Sequence, residues 1–398
     1  MQLIEVNSPQ LAMEFINVNV LINKNDPNYI QPLNKDILEV FDKKKNKAFR
    51  HGDAIRWILK TDNGEPIGRI AAFVNEKYKN KGDDVPVGGI GFFDCINDQA
   101  AADMLFDVAR HWLLQRNMQA MDGPINFGER DRWWGLLVKG FEPAIYCLNY
   151  NPPYYQRLFE NYGFRNYYNQ VCFALKVGER IQEKFYTRHD QCAQNPDLSS
   201  AHIRKDQLDK FAKDFSIIYN KAWAGHGGMK QLEEKVVRKM FQAMKPVIDE
   251  RISWFAYYKN EPIALWVNLP DLNQWFKHLH GKFDLWNKLK FLWIKKTRHC
   301  DKFVGLVFGV VPEWQGKGID SYLIIEGGKT IQGLSIENGE YKMGKPIYSD
   351  FEMQWIGEFN PKMINMAEAL GTYRSRILTT YRYLFDQTKE FKPHPILK

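Results

Sequence analysis

Two kinds of pattern succeed one another along this chain. Short runs with apolar and polar positions alternating, closed by turn residues, predict half-buried strands; longer runs with apolar positions three and four apart predict amphipathic helices. Positions 54–61 and 66–75 flank Asp62-Asn63-Gly64-Glu65 and predict a hairpin, with a third strand at 88–97. Within 100–117, Leu105, Val108, Ala109, Trp112 and Leu113 share one helical face. The order then recurs. Positions 251–258 and 262–269 predict a hairpin around Lys259-Asn260-Glu261, 303–311 a buried strand, and 321–335 and 360–370 helices. Between the two series, 178–200 loses its periodicity and carries Pro196, which predicts a joint. The expected organisation is two tandem domains of α+β or α/β class, each a mixed, mostly antiparallel sheet flanked by helices. They span 1–180 and 198–398, with a linker at 181–197. The halves share element order and almost no identities.

Composition narrows the class. Of 398 residues, 44% are hydrophobic and 26% charged, which excludes a disordered chain and supplies two cores. The five cysteines show no CxxC spacing, so neither a disulfide framework nor a metal site is expected. No signal-peptide pattern follows Met1, and no apolar run reaches the ~18 residues of a membrane span. A cytoplasmic protein is therefore expected, free or resting on the inner membrane surface.

The most informative stretch is 303–323. An apolar strand runs through Val310 and Val311 into Pro312-Glu313-Trp314, then Gln315-Gly316-Lys317-Gly318-Ile319-Asp320, then a helix. Two glycines allow tight curvature, the helix start offers partial positive charge, and Lys317 adds a full one; together these make an anion cradle. It is not a Walker A loop, because Leu323 stands where the first glycine would be needed before Gly328-Lys329-Thr330.

This segment resembles the cofactor turn of the GNAT superfamily of acyl-CoA-dependent N-acyltransferases. The match covers Gln315, Gly316 and Gly318 and departs at Asp320, where the superfamily has Gly or Ala. The stretch 154–164 resembles that superfamily's late helix and Gly-Phe corner, so both halves resemble GNAT domains. The first half's own turn, Asp94 to Gln99, has no glycine and two carboxylates. The resemblance therefore implies that acyl-CoA or acetyl-CoA binds the second half, through Val310, Val311, Gln315, Gly316, Lys317, Gly318, Ile319 and Asp320. The first half is expected to shape the acceptor site, with 126–134 either a wall of it or a surface charge cluster beside a Trp anchor.

Several segments narrow the resemblance to tandem GNAT proteins that include bacterial ceramide synthases: 68–75, 89–94, 122–127, 220–223, 269–273 and 316–320. Gly-Ile-Asp recurs at the cradle of that group. The group implies transfer of a fatty acyl chain to the amine of a long-chain sphingoid base. Independently, 273–302 holds eight Lys/Arg against two Asp, with Trp275, Phe276, Phe283, Trp286, Phe291 and Trp293 interleaved. Most of the chain's net +8 lies there. Such a segment suits contact with a membrane surface, or equally a helix packed on its own domain with a solvated basic face. No nucleic-acid partner is expected, since no such module frames it.

Direct transfer needs an oxyanion donor, a base for the ammonium proton and a proton for the thiolate. The resemblance implies backbone N–H groups at 309–311 as the donor. Glu352, on a strand where Asp350, Glu352 and Gln354 share a face, is one candidate base; a structural ion pair is its competing role. His226, in a glycine-rich segment, is the other. Asn360 is a candidate pantetheine contact or an N-cap before Pro361. The superfamily's proton-donating Tyr is replaced by Ala367, so either Tyr373 substitutes from the next turn or the thiolate leaves without side-chain help. Two other functions remain open: acetylation of a soluble amine, or a non-catalytic CoA- or lipid-binding module.

Overall fold

The computed structural model describes residues 1–223 and 231–397. One long sheet runs through both halves. From the first come β1 (Gln2–Glu5), β2 (Gly52–Lys60), β3 (Pro66–Asn75), β4 (Val87–Cys95), β5 (Ala120–Gly123) and β6 (Arg165–Lys176). From the second come β7 (Leu198–His202), β8 (Trp254–Tyr258), β9 (Glu261–Pro270), β10 (Lys302–Val310), β11 (Asp350–Met353) and β12 (Tyr373–Leu384). Two shorter strands, Leu136–Lys139 and Ile356–Gly357, pair off this path.

The strand order is β1-β2-β3-β4-β5-β12-β6-β11-β10-β9-β8-β7. It reads the same from either end, because each half's last strand lies in the other half's territory. The second half's β12 pairs with β5 of the first half, and the first half's β6 pairs with β11 of the second. β12 and β6 pair with each other along most of their length. Along this path the pairs are antiparallel except β4–β5 and β10–β11, one parallel junction in each half. The two halves are thus joined by shared backbone hydrogen bonds as well as by the connecting chain.

Local chemistry accounts for the predicted elements. Lys259 and Asn260 both adopt positive φ (48° and 68°), the primed turn that matches the twist of β8 and β9. Helix Gln99–Leu114 starts at Asp98, whose carboxylate accepts the Ala101 N–H at 2.8 Å, and buries Leu105, Phe106, Ala109, Trp112 and Leu113.

The expected linker departs from expectation. Glu183–Ala193 within it is a helix that buries Phe185, Tyr186 and His189. His189 Nε2 lies 2.8 Å from Glu326 Oε1 on the helix Ile319–Ile331, and its Nδ1 lies 2.7 Å from the Tyr341 hydroxyl. Burial alone would raise the Glu326 carboxyl, but His189, Lys329 and Ser200 hold it down to about 2. Only three apolar-face positions mark this helix, too few to show as periodicity.

The basic-aromatic segment divides by face. Trp275, Phe276, Leu279, Phe291 and Ile294 pack into a core with Leu33, Phe303 and Phe351. Helix Leu285–Thr297 turns its other side outward: Leu285, Trp286, Leu289, Leu292 and Trp293 are 72, 79, 53, 52 and 61% exposed.

Candidate active site

β10 and β11 run parallel only as far as Gly305 and Met353, after which the Gln354 N–H still reaches the Gly305 carbonyl at 3.0 Å. Beyond that point β10 continues, paired with β9 alone through Val310. The strands have parted. The gap opens into an apolar cavity of about 300 Å³ between the sheet, helix Ile319–Ile331 and helix Pro361–Ala369. Its walls include Trp223, Trp266, Phe308, Ile324, Met366 and Leu370. The volume is at the lower end of the ~300–1,000 Å³ of ligand cavities. Leu175 and Val177, at and just past the end of β6, form one wall, so the first half helps build the second half's site.

Two glycines of β10 shape this cavity. A Cβ on Gly309 would lie 2.1 Å from the Trp223 ring, and one on Gly305 would lie 2.8 Å from the Phe351 ring. The strand therefore lets two aromatic rings approach its backbone more closely than any side chain there would allow. Gln354, at the parting of the strands, also lines the cavity, and its Oε1 is buried without a hydrogen-bond partner.

The cradle follows β10. After a short turn of 3-10 helix, Pro312–Trp314, Gly316 and Gly318 adopt φ of 73° and 82°, and the helix begins at Ile319. The first-turn amides of Ile319, Asp320 and Ser321 have no acceptor within the helix. Lys317 lies beside them with its ammonium 5.2 Å from the Trp314 ring centre. The space over Gly316 is open, whereas Gly318 abuts the helix of the expected linker: an added Cβ would meet Cys192 Sγ at 3.1 Å and Arg188 Cβ at 3.6 Å. Arg188, an exposed residue, thus has its backbone and Cβ beside the cradle. Sequence reasoning missed it, because nothing in 181–197 marked a packed helix.

The structure sorts the remaining candidates. The Val311 N–H donates to the Ile263 carbonyl at 2.9 Å, so it is unavailable as an oxyanion donor. Antiparallel alternation then turns the Val310 N–H the other way, toward the gap. The Val310 carbonyl, on that same side, accepts the Gln315 side-chain amide at 3.0 Å. Gln315 braces the strand end rather than reaching outward. Ile319 is 1% exposed; its side chain belongs to the core, and only its backbone faces the cradle. Asp320 opens the helix, where an acidic side chain favours the dipole. Asn360 accepts the Met363 N–H at 3.3 Å, the N-cap role. Tyr373 begins β12, half exposed, and is not among the residues lining the cavity.

Glu352 points away from the cavity. Its neighbours Phe351 and Met353 line the cavity, and alternation sends the carboxylate to the opposite face. There Arg376 Nε lies 2.7 Å from Oε1, Lys302 Nζ 3.0 Å from Oε2, and the Ser375 hydroxyl donates to Oε1 at 2.9 Å. Burial alone would raise its pKa; the guanidinium and the ammonium outweigh burial and hold it below the ordinary value. Arg376 in turn donates to the carbonyls of Glu142 and Pro143 at 2.7 and 2.8 Å. This carboxylate is a buried tie between halves, with no face toward a substrate. His226 lies outside the described residues. Among the described residues lining the cavity, none carries a carboxylate, imidazole or phenol.

The first half's equivalent site is closed. The Tyr154 hydroxyl donates to the Cys95 carbonyl at 2.7 Å, and the Tyr155 hydroxyl accepts the Cys95 N–H at 3.0 Å. Asp94 is gripped by Arg69 Nε at 2.6 Å and by Asn19 and Tyr155. A cavity of about 60 Å³ remains there. The segment 126–134 instead contributes to an open groove of about 810 Å³ elsewhere in the first half.

No family model matches the sequence. The chain is 25% identical over 393 residues to the bacterial ceramide synthase of Caulobacter vibrioides, spanning 94% of this chain and 96% of that one. It is 25% identical over 352 residues to protein YghO of Escherichia coli K12, spanning 87% and 86%. Among solved structures, a tandem GNAT protein from the clavulanic acid biosynthesis pathway aligns over 98% of this chain and 99% of that one, with a TM-score of 0.53 at 11% identity. The fold is the tandem GNAT fold.

Proposed function

We propose that this chain, an N-acyltransferase by fold and by full-length sequence likeness, takes its acyl group from a CoA thioester bound in the second half. Its acceptor is the primary amine of a long-chain lipid, as in ceramide synthesis. The observation that carries the reading is the apolar cavity continuous with the parting of β10 and β11 and following the glycine cradle. The residues present fit the donor. Gly316 leaves open space for a phosphate, Lys317 supplies charge, and an aromatic and aliphatic cavity accepts a chain.

In this reading the neutral amine attacks the thioester carbonyl, the C–N bond forms and the C–S bond breaks. The Val310 N–H supports the developing oxyanion. Lys317 and the first-turn amides hold the pyrophosphate, while Asp320 keeps the helix start ordered. With Glu352 committed to its ion pair, His226 is our choice of base for the ammonium proton; it follows the cavity residue Trp223 by three positions. No described side chain is assigned to the thiolate; Tyr373 would need to turn inward to serve.

A lipid acceptor must be lifted from a membrane, and helix Leu285–Thr297 suits contact with an anionic surface. Five exposed apolar side chains lie on one face, with Lys288, Lys290 and Lys296 beside them. No helix among the described residues is long and apolar enough to cross a membrane.

Thiol release is measured with acetyl-CoA and palmitoyl-CoA, each with and without sphinganine, and the lipid product is identified by mass spectrometry. Amide formed from palmitoyl-CoA and sphinganine is the expected result. Turnover of acetyl-CoA with soluble amines only would overturn the lipid reading, and CoA binding without any turnover would overturn the enzymatic one for these substrates. His226→Gln should lower kcat by about 10²–10⁴ if it is the base.

A further inference from the structure

The first half holds an opening larger than the apolar cavity, the groove of about 810 Å³, which no step above uses. Its floor is aromatic. Phe73 and Phe127, only 3 and 2% exposed, stack at 5.5 Å beneath it, and Trp134 lies beside the half-buried Tyr78. Two loops face one another across it and are fixed together: Asn46 Nδ2 donates to the carbonyls of Val40 and Phe127 at 2.7 and 2.8 Å.

The charges on its walls do not cancel. Each acid is already engaged: Glu39 by Lys45 at 2.9 Å, Glu129 by Arg132 at 3.3 Å, and Asp36 by Lys35 and the Tyr146 hydroxyl. Lys47, Arg50 and Lys77 have no carboxylate partner among the described residues. Arg130 stacks over Tyr78 and Trp134, 5.4 Å from each, and donates only to uncharged oxygens.

Unpaired cations over an aromatic floor repel a protonated amine and attract an anion with a flat or aliphatic body. We infer that this groove is a second ligand site, for a small organic phosphate. The phosphate sits among Lys47, Arg50 and Lys77, and the body lies in the groove against Tyr78. The inference is independent of the acyl-transfer reading. It also turns 126–134 from an amine-facing wall into part of an anion site.

The test is calorimetric titration of the full chain with AMP and with a short-chain lysophosphatidate below its micelle concentration. Adenosine and the matching monoacylglycerol are the neutral controls. At least one phosphorylated probe should bind, and at least about tenfold more tightly than its neutral control. The triple variant K47Q/R50Q/K77Q should weaken it at least about tenfold. Gly318→Asp, which acts at the second half's cradle, should leave it unchanged. AMP binding alone assigns a nucleotide source, lysophosphatidate alone a lipid phosphate. Binding of neither probe, equal binding of the neutral controls, or loss through Gly318→Asp would each overturn the assignment. Unchanged affinity in a triple variant of unchanged Tm would do the same. Should the triple variant fail to fold, Lys77→Gln alone, on β3's side of the groove, must still weaken binding.

Discussion

Replacing Glu352 with Gln separates a structural carboxylate from a catalytic one. The side chain is 1% exposed and is held by Arg376, Lys302 and Ser375. Removing one partner of a buried ion pair costs ~3–5 kcal/mol, because the cations left behind are desolvated and uncompensated. That is a large share of the ~5–15 kcal/mol that holds a folded domain together, and it should lower Tm by on the order of 10 °C. Activity per folded molecule, measured by thiol release well below the new Tm, should stay within about threefold of wild type. The pH dependence has a definite sign. The folded pKa of Glu352 lies below its ordinary value of 4.5. Its contribution is therefore fully present above about pH 4.5 and is lost as pH falls through the lowered folded value. The stability gap between wild type and E352Q should be widest near neutral pH and close in acid. A variant with unchanged Tm but a kcat reduced by ~10²–10⁴ would refute this reasoning and restore Glu352 as the base.

Other expectations follow from the same contacts. At the cradle, Gly316→Ala meets no neighbour and should cost only the ~1–2 kcal/mol of a left-handed alanine, seen as a modest drop in Tm. Gly318→Asp adds negative charge and a side chain against Cys192 and Arg188, and should raise KM for the CoA thioester at least about tenfold. On the exposed helix, the double variant W286E/W293E should reduce co-sedimentation with vesicles containing anionic phospholipid, since each ring forfeits ~1.5–3 kcal/mol of burial. Thiol release from soluble substrates should be unaffected, and unchanged vesicle binding would remove this helix from the interface. A fragment spanning 198–398 lacks β6, including Leu175, and Val177, which wall the cavity; it should neither bind CoA nor unfold cooperatively, as calorimetry would show.

What could be read from the sequence was what is local. The strand running into two glycines and a helix start is a contiguous signal, and β10, the cradle and the start of helix Ile319–Ile331 lie within a residue or two of expectation, though that helix ends four residues earlier than expected. The hairpins were legible for the same reason, through Gly64 in one turn and Lys259-Asn260 in the other. The partners of Glu352 were not: a carboxylate on a central strand reads alike as base or ion pair until its neighbours are known. Arg376 stands 24 residues away on a strand that pairs outside its own half. The occupied Val311 amide was equally hidden, because it depends on the register of β9 against β10. The helix at Glu183–Ala193 escaped because its buried face is three residues wide. The aromatic segment 273–302 left two roles open, and its faces divide: Phe291 and Ile294 pack inward, whereas Trp286 and Trp293 face out and carry the proposed membrane contact.

The exchange of last strands explains why a closed, inert-looking first half persists beside an open second one. In the first half the backbone at Cys95 is capped by Tyr154 and Tyr155, so the parting of β4 and β5 is filled by the chain's own side chains. In the proposed reading the pantetheine arm therefore enters the second half rather than the first. Yet β6 supplies a wall of the second half's cavity, and Arg376 on β12 locks its guanidinium onto the carbonyls of the first half's 140–143 turn. Opening the first half's gap would move Tyr155 and with it Asp94, Arg69 and Asn19, which together fix β3 and β4 to helix Pro9–Asn23. The closed site therefore acts as the rigid frame against which the open one is built. The proposed division, in which the second half takes the donor and the first holds a different ligand, is compatible with that geometry: β3, β4 and helix Asn34–Val40 each contribute to the filled gap and to the open basic groove.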